Sequence, residues 1–148
     1  MEFVIIILGF IADRVTKILS MNFLKDGDIT IIKNFFDLQY VENHGAAFGI
    51  MQNKQLIISI ITLAVVIGMI FYLVKYKPGS KLFRISLACI IGGALGNLFD
   101  RLYYKYVVDF IFFHYKDTFT WPNFNVADIL VVTGTLLMAL YIVKDVKE

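Results

Sequence analysis

The sequence predicts an integral membrane α-helical protein with four transmembrane helices, a small extracytoplasmic β-sheet and a second outer loop. Three observations carry that prediction. Of 148 residues, 59% are hydrophobic and 18% charged, and the mean hydropathy is +0.74, whereas a soluble domain is roughly 45–50% apolar. Four segments approach the length of about 20 mostly apolar residues that a helix needs to cross hydrocarbon. Lastly, the short connection between the second and third segments holds Lys75, Lys77, Lys81 and Arg84 and no acid, which marks it as the cytoplasmic side.

The first span covers residues 3–24. It opens on an apolar run, but Asp13, Arg14 and Lys17 follow with neither a basic leader nor a small-residue cleavage motif, so it reads as a retained helix rather than a removed signal. The connection 25–55 contains Asp28-Ile29-Thr30-Ile31-Ile32 and Phe35-Phe36-Asp37-Leu38-Gln39-Tyr40-Val41. These β-branched and aromatic runs, partly alternating, predict short strands. Residues 56–74 form the cleanest span, nineteen residues without a charge. Residues 82–99 form the third, with one early charge at Arg84, and 126–143 the fourth, with one early acid at Asp128. A cytoplasmic basic loop places both termini inside and puts connections 25–55 and 101–125 outside. Pro78 and Pro122 both fall in connections, and no repeat or linker divides the chain. A single membrane domain over 1–148 is expected.

Several function classes are excluded early. Fourteen basic against twelve acidic residues leave +2, too balanced for a nucleic-acid partner. Cys89 is the single cysteine, so neither an internal disulfide nor a cysteine metal site is expected. His44 and His114 lack ligand spacing, and HExxH does not occur, so no metal is expected. For a serine–lysine hydrolase, Ser59 and Ser86 lie in apolar spans, Ser80 in the inner loop, and Ser20 in no motif.

Charge inside a bilayer costs on the order of 2.5–3.5 kcal/mol at the centre, so polar exceptions carry the information. Asp13 and Lys17 are four apart and share a helix face, either as a pair that makes insertion tolerable or as part of a site. In Asn43-His44-Gly45-Ala46-Ala47-Phe48-Gly49 the Asn43 amide can serve an extended peptide, although a turn into the second span explains the same residues. Gly92-Gly93-Ala94-Leu95-Gly96-Asn97-Leu98-Phe99-Asp100-Arg101 combines a small-xxx-small packing stripe with Asn97, Asp100 and Arg101 on one face. Asp100 and Arg101 also fit a plain surface ion pair. Asp109 sits alone in Val107-Val108-Asp109-Phe110-Ile111-Phe112-Phe113, where burial would raise its pKa; an edge strand or interfacial helix with one solvent-facing acid is the plain alternative. In Phe124-Asn125-Val126-Ala127-Asp128, Asn125 and Asp128 suit a helix N-cap and first turn, yet the carboxylate lies at the hydrocarbon boundary.

Two outer-side carboxylates in apolar surroundings, Asp109 and Asp128, are the raw material of an aspartyl dyad. Such a pair shares one proton. Its ionised member takes a proton from water while the protonated member polarises a peptide carbonyl, which hydrolyses an amide with no metal or cofactor. The residues alone do not separate Asp109 from Asp100 as a dyad member.

Taken together in order, Asp13-Arg14-Val15-Thr16-Lys17, the Asn43, Gly92 and Asn125 blocks and Val107-Val108-Asp109-Phe110-Ile111 resemble the bacterial lipoprotein signal peptidases, or signal peptidase II. The resemblance spans nearly the whole chain, and five blocks in order with four spans make it specific. It implies an aspartyl endopeptidase of the bacterial cytoplasmic (inner) membrane, multi-pass, with its active site on the outer side. Its implied partners are prolipoproteins, which it cuts just before the diacylglyceryl-modified cysteine, and membrane lipids; no cofactor and no nucleic acid are implied, and a monomer is. Carried over by position, Asp109 and Asp128 are the catalytic dyad. Asp13, Lys17, Asn43, Asn97, Asp100, Arg101 and Asn125 are the supporting and substrate-contacting set. Phe99 departs from the family's usual aliphatic residue.

Two other classes compete. A proton or ion carrier would use Asp13, Lys17, Asp100 and Asp128 as a relay, and a helper protein would use its polar residues only for packing. A relay needs charge spread through membrane depth, whereas the second span has none and the polar blocks gather outward.

Overall fold

A computed structural model describes residues 1–45, 52, 54–116 and 118–145. Residues 46–49 of the motif that begins at Asn43 lie outside the described residues. The elements run in the order α1 (Glu2–Phe23), β1 (Ile29–Ile32), β2 (Phe36–Asn43), α2 (Gln55–Tyr76), α3 (Lys81–Tyr103), β3 (Val107–Tyr115), β4 (Phe119–Thr120) and α4 (Val126–Asp145). All four expected helices are present, and each extends a little beyond its apolar run.

Helices α2, α3 and most of α4 are long and apolar enough to cross a membrane. Helix α1 is as long but carries more charge, and its burial pattern explains how. Asp13, Arg14, Lys17 and Ser20 are buried together with Ile6, a stripe at helical spacing that faces the protein. The opposite side is apolar throughout, with Val4, Leu8, Ile11, Val15 and Leu19 all exposed.

Helix α3 is the central post, packed by α1, α2 and α4. Its small residues allow this. A Cβ on Gly93 would strike the Ala127 carbonyl of α4, and one on Gly96 would strike the Asp13 carboxylate of α1 and lie 3.2 Å from the Ala127 Cβ. The interior then divides by polarity along α3. Ile6, Val66, Leu73, Leu87, Ala88 and Ile91 form an apolar core, and beyond it Asn97, Asp100 and Arg101 are buried with the α1 charges.

The sheet is antiparallel in the order β1-β2-β3-β4. The expected strands in 25–55 are β1 and β2. The connection 101–125, expected as a second outer loop, instead supplies β3 and β4 to the same sheet. Val107–Phe110 is buried at every position, so this strand shows no in–out alternation in sequence. Two sets of contacts fix β3, one to β2 and one to the segment that leads into α4. Val41 pairs with Asp109 and Asn43 with Val107, and Phe124 bridges to Ile111, with the Ile111 N–H donating to the Phe124 carbonyl at 2.9 Å and the Phe124 N–H to the Ile111 carbonyl at 3.1 Å. Helix α4 starts two residues later, so the backbone ladder itself sets the α4 N-terminus beside Asp109.

Candidate active site

At the end of α3 remote from the apolar core, a pocket of about 430 Å³ opens between β3, the 121–124 segment and the first turns of α4. Asn43, Asn97, Arg101, Asp109 and Asp128 form its polar part. Asn123 and Thr133 also line it, and the remaining walls are mostly apolar, with Val107, Pro122, Phe124, Ile129 and Val132 among them.

Asp109 is 2% exposed. Its Oδ2 accepts from Asn43 Nδ2 at 2.9 Å and its Oδ1 from Asn125 Nδ2 at 2.6 Å. Both partners are neutral amides. Burial and, second, the charge of nearby Asp128 push the Asp109 carboxyl up to about 7, against opposition from the two amide hydrogen bonds. Asp128 is half-buried in the first turn of α4. Its Oδ1 accepts from Asn97 Nδ2 at 2.8 Å and its Oδ2 from the Asn125 backbone N–H at 3.1 Å. In return the Asp128 N–H donates to Asn125 Oδ1 at 3.0 Å. This is a reciprocal cap, and it satisfies helix-end donors that would otherwise be orphaned in an apolar setting.

Asn125, fully buried, therefore touches both carboxylates. Its side-chain amide also lies within reach of Asn97 Oδ1 at 3.1 Å and the Val108 carbonyl at 3.3 Å. The helix-cap reading of Asn125 and Asp128 is realised, and the same Asp128 carboxylate lines the pocket.

Behind the pocket lies a charged cluster closed to water. Lys17 is 0% exposed, and its Nζ reaches Asp13 Oδ2 and Asp100 Oδ2 at 2.9 Å each and Asn97 Oδ1 at 2.8 Å. All three ammonium hydrogens are thereby engaged. Asp13 Oδ1 accepts from the Ala127 N–H of α4 at 2.9 Å. Asp100 pairs with Arg14 and accepts from the Val108 N–H at 3.1 Å. Two acids and two bases leave the cluster neutral, as burial of ions demands. Lys17 and Ala127 link it to the pocket, the first through Asn97 to Asp128 and the second by holding the start of α4.

Arg101 is 8% exposed and lines the pocket. Its Nη2 donates to the Gly45 carbonyl at 3.3 Å and its Nη1 to the Asn97 carbonyl at 3.4 Å. Asn43 Oδ1 accepts from the Gly45 N–H at 2.9 Å, so Asn43 and Arg101 both anchor the chain at Gly45. Arg101 brings one positive charge to the pocket that Asp109 and Asp128 also line.

All nine residues singled out in sequence thus gather at one end of the bundle. Five line the pocket and Asp13, Lys17, Asp100 and Asn125 stand behind it. The ambiguity between Asp100 and Asp109 has a structural counterpart: Asp100 turns into the ion cluster, whereas Asp109 meets only amides and faces the pocket. Arg14 is the partner that sequence reasoning passed over, although it is three residues from Lys17 and so shares its face. Its guanidinium also lies 4.5 Å from the Phe99 ring centroid, which gives the aromatic residue at that position a contact. The 121–124 wall was equally unmarked; a tryptophan just before the start of an apolar helix is the interfacial signal it offered. Among the described residues no group of His, Cys, Asp and Glu could hold a metal.

The family described as signal peptidase (SPase) II matches residues 5–144. A lipoprotein signal peptidase of Clostridium acetobutylicum is 55% identical, with 100% of this chain and 97% of that protein covered. That of Halothermothrix orenii is 39% identical over 99% and 98%. A solved bacterial membrane enzyme superposes with a TM-score of 0.88 at 29% identity, covering 98% of this chain and 88% of its own. The chain belongs to the signal peptidase II family, the lipoprotein signal peptidases, which are membrane proteases.

Proposed function

We propose that Asp109 and Asp128 are the dyad with which this membrane protease hydrolyses prolipoproteins just before the lipidated cysteine. The observation that supports this most directly is that both carboxylates face one pocket whose apolar wall continues along α4 through Ile129 and Val132. A peptide bond can sit at the polar end while the acyl chains of the same residue stay in lipid.

In this mechanism the pair holds one proton. Asp109, with its carboxyl pushed to about 7, carries it; Asp128, at the positive end of α4, is the base. Asp128 takes a proton from water, the hydroxide equivalent adds to the scissile carbonyl carbon, and Asp109 protonates the carbonyl oxygen. Collapse of the tetrahedral intermediate breaks the C–N bond as the amine of the cysteine takes the proton from Asp128. Asp109 recovers its proton from the gem-diol. Arg101 and Asn43 contact the substrate backbone, and the cluster of Asp13, Lys17 and Asp100 keeps Asn97 and α4 in place.

The same reading makes α1 a fourth span, because its charges are internal and its outer face apolar. Both termini are cytoplasmic by the basic α2–α3 connection, the pocket lies on the outer side of the bacterial cytoplasmic membrane, and the chain acts as a single-domain monomer. The test is cleavage of a diacylglyceryl-modified prolipoprotein by purified Asp109→Asn and Asp128→Asn in nanodiscs, with released signal peptide followed by mass spectrometry. Both variants should insert and fold yet release none; normal turnover by either would remove it from the dyad.

A further inference from the structure

A second pocket lies at the other end of the bundle, about 20 Å along α3 from Asn97 at ~1.5 Å per residue. Its volume is about 270 Å³, and Glu2, Phe3, Leu73, Val74, Lys77 and Arg84 line it. Phe3 and Val74 are exposed apolar side chains that give it a wall facing lipid. Arg84 Nε lies 2.9 Å from Glu2 Oε1. With Lys77 added, the lining carries two positive charges against one negative.

Two further features show an excess of positive potential here. The first turn of α3 contains no acid, yet it holds Lys81 and Arg84, and cations at a helix N-terminus are opposed by the dipole. Lys77 ends α2 in the left-handed region, with φ 43°, where glycine would be less strained. Nothing in the apolar core calls for a lysine there. An anion in the pocket would oppose both basic side chains and the helix end at once.

We propose that this pocket holds one anionic phospholipid, its phosphate against Lys77 and Arg84 and an acyl chain along Phe3, Leu73 and Val74. Basic pockets between membrane helices suit such headgroups, and the apolar wall selects a lipid over a soluble anion. The site is separate from the dyad, and its occupancy is read without any reference to cleavage.

The experiment is native mass spectrometry of the full chain in detergent, titrated with phosphatidylglycerol or with phosphatidylcholine of the same acyl chains. One phosphatidylglycerol per chain should be retained in preference to phosphatidylcholine. Lys77→Gln should weaken that retention about fivefold, the effect of one charge near an anionic lipid. Glu2→Gln should strengthen it, because it removes the competing carboxylate from Arg84. Lys144→Gln, at the end of α4 and outside the pocket, should leave it unchanged. Arg84→Gln breaks the Glu2 pair and is the poorer probe, so the opposite signs of the Lys77 and Glu2 variants carry the test. Equal retention of the two lipids, an unchanged Lys77→Gln, a weakened Glu2→Gln or an equal loss in Lys144→Gln would each overturn the proposal.

Discussion

Asn125 donates a 2.6 Å side-chain hydrogen bond to Asp109, and in the same residue the backbone N–H and side-chain oxygen close a reciprocal cap with Asp128. One amide thus sets the distance between two carboxylates that come from a strand and a helix. Asn125→Ala should lower kcat about a hundredfold through misplacement and cost about 1 kcal/mol in lost capping. Asn125→Ser separates the two effects. Its hydroxyl can cap α4 but is too short to reach Asp109, so thermal stability should return while turnover stays low.

Lys17 is the one cation touching Asp13, Asp100 and Asn97 among the described residues. Lys17→Met leaves an uncompensated carboxylate in a dry interior and should cost about 3–5 kcal/mol. Adding Asp13→Asn restores neutrality, since Arg14 still balances Asp100. The double variant should therefore be more stable than Lys17→Met alone, which unfolding in a mixed-detergent titration would measure. Equal stability of the two would mean that the charge balance does not matter.

Asp109 predicts a pH dependence of defined sign. Its folded carboxyl titrates near 7 against an ordinary value of 3.8, so between those values the folded state holds a proton that the unfolded state has lost. Stability from this group is therefore full below about 4 and falls as pH rises towards 7, by a few kcal/mol in order of magnitude. Asp109→Asn should flatten that slope. The proposed mechanism needs the singly protonated pair, so log kcat/KM of the wild type should fall with unit slope above about 7.

Gly96 and Gly68 should respond oppositely to alanine. A Cβ at Gly96 meets the Asp13 carboxylate and Ala127, so Gly96→Ala should force α1 from α3 and cost about 1–3 kcal/mol. Nothing lies within 4 Å of a Cβ at Gly68, in the middle of α2. Gly68→Ala should gain about 0.5–1 kcal/mol from helix propensity. Melting in one detergent compares them directly.

The helices were legible because a mostly apolar run of span length has one stable solution in lipid. Strands β1 and β2 were legible from β-branched and aromatic runs. Strand β3 was open only as one alternative, an edge strand with a solvent-facing acid, because Val107–Phe110 is buried at every position and shows no period of two. The polar set was legible as a set, since ionisable residues in apolar runs are rare and stand out. Its internal division was not. Arg101 beside Asp100 does not by itself rule that acid out of the pocket, and what turns Asp100 away from it is its pairing with Arg14 and Lys17, more than eighty residues away in sequence. That separation is also why the ion cluster, as opposed to the Asp13–Lys17 pair within it, had no local signature.

The buried charges also impose a timetable on biogenesis. Helix α1 is made before α3, and on the proposed reading of α1 as a fourth span three of its ions meet the membrane before α3 exists to receive them. Asp13 and Lys17 can satisfy one another within the helix, but Arg14 is left waiting for Asp100 until most of the chain has been synthesised. The earliest helix is thus the last to be secured, and a nascent chain halted before α3 would carry an unpaired guanidinium at the membrane. The active end of the molecule therefore cannot be assembled piecemeal. It closes only after α3 has brought Asn97 and Asp100, β3 has brought Asp109, and the start of α4 has brought Asn125, Ala127 and Asp128.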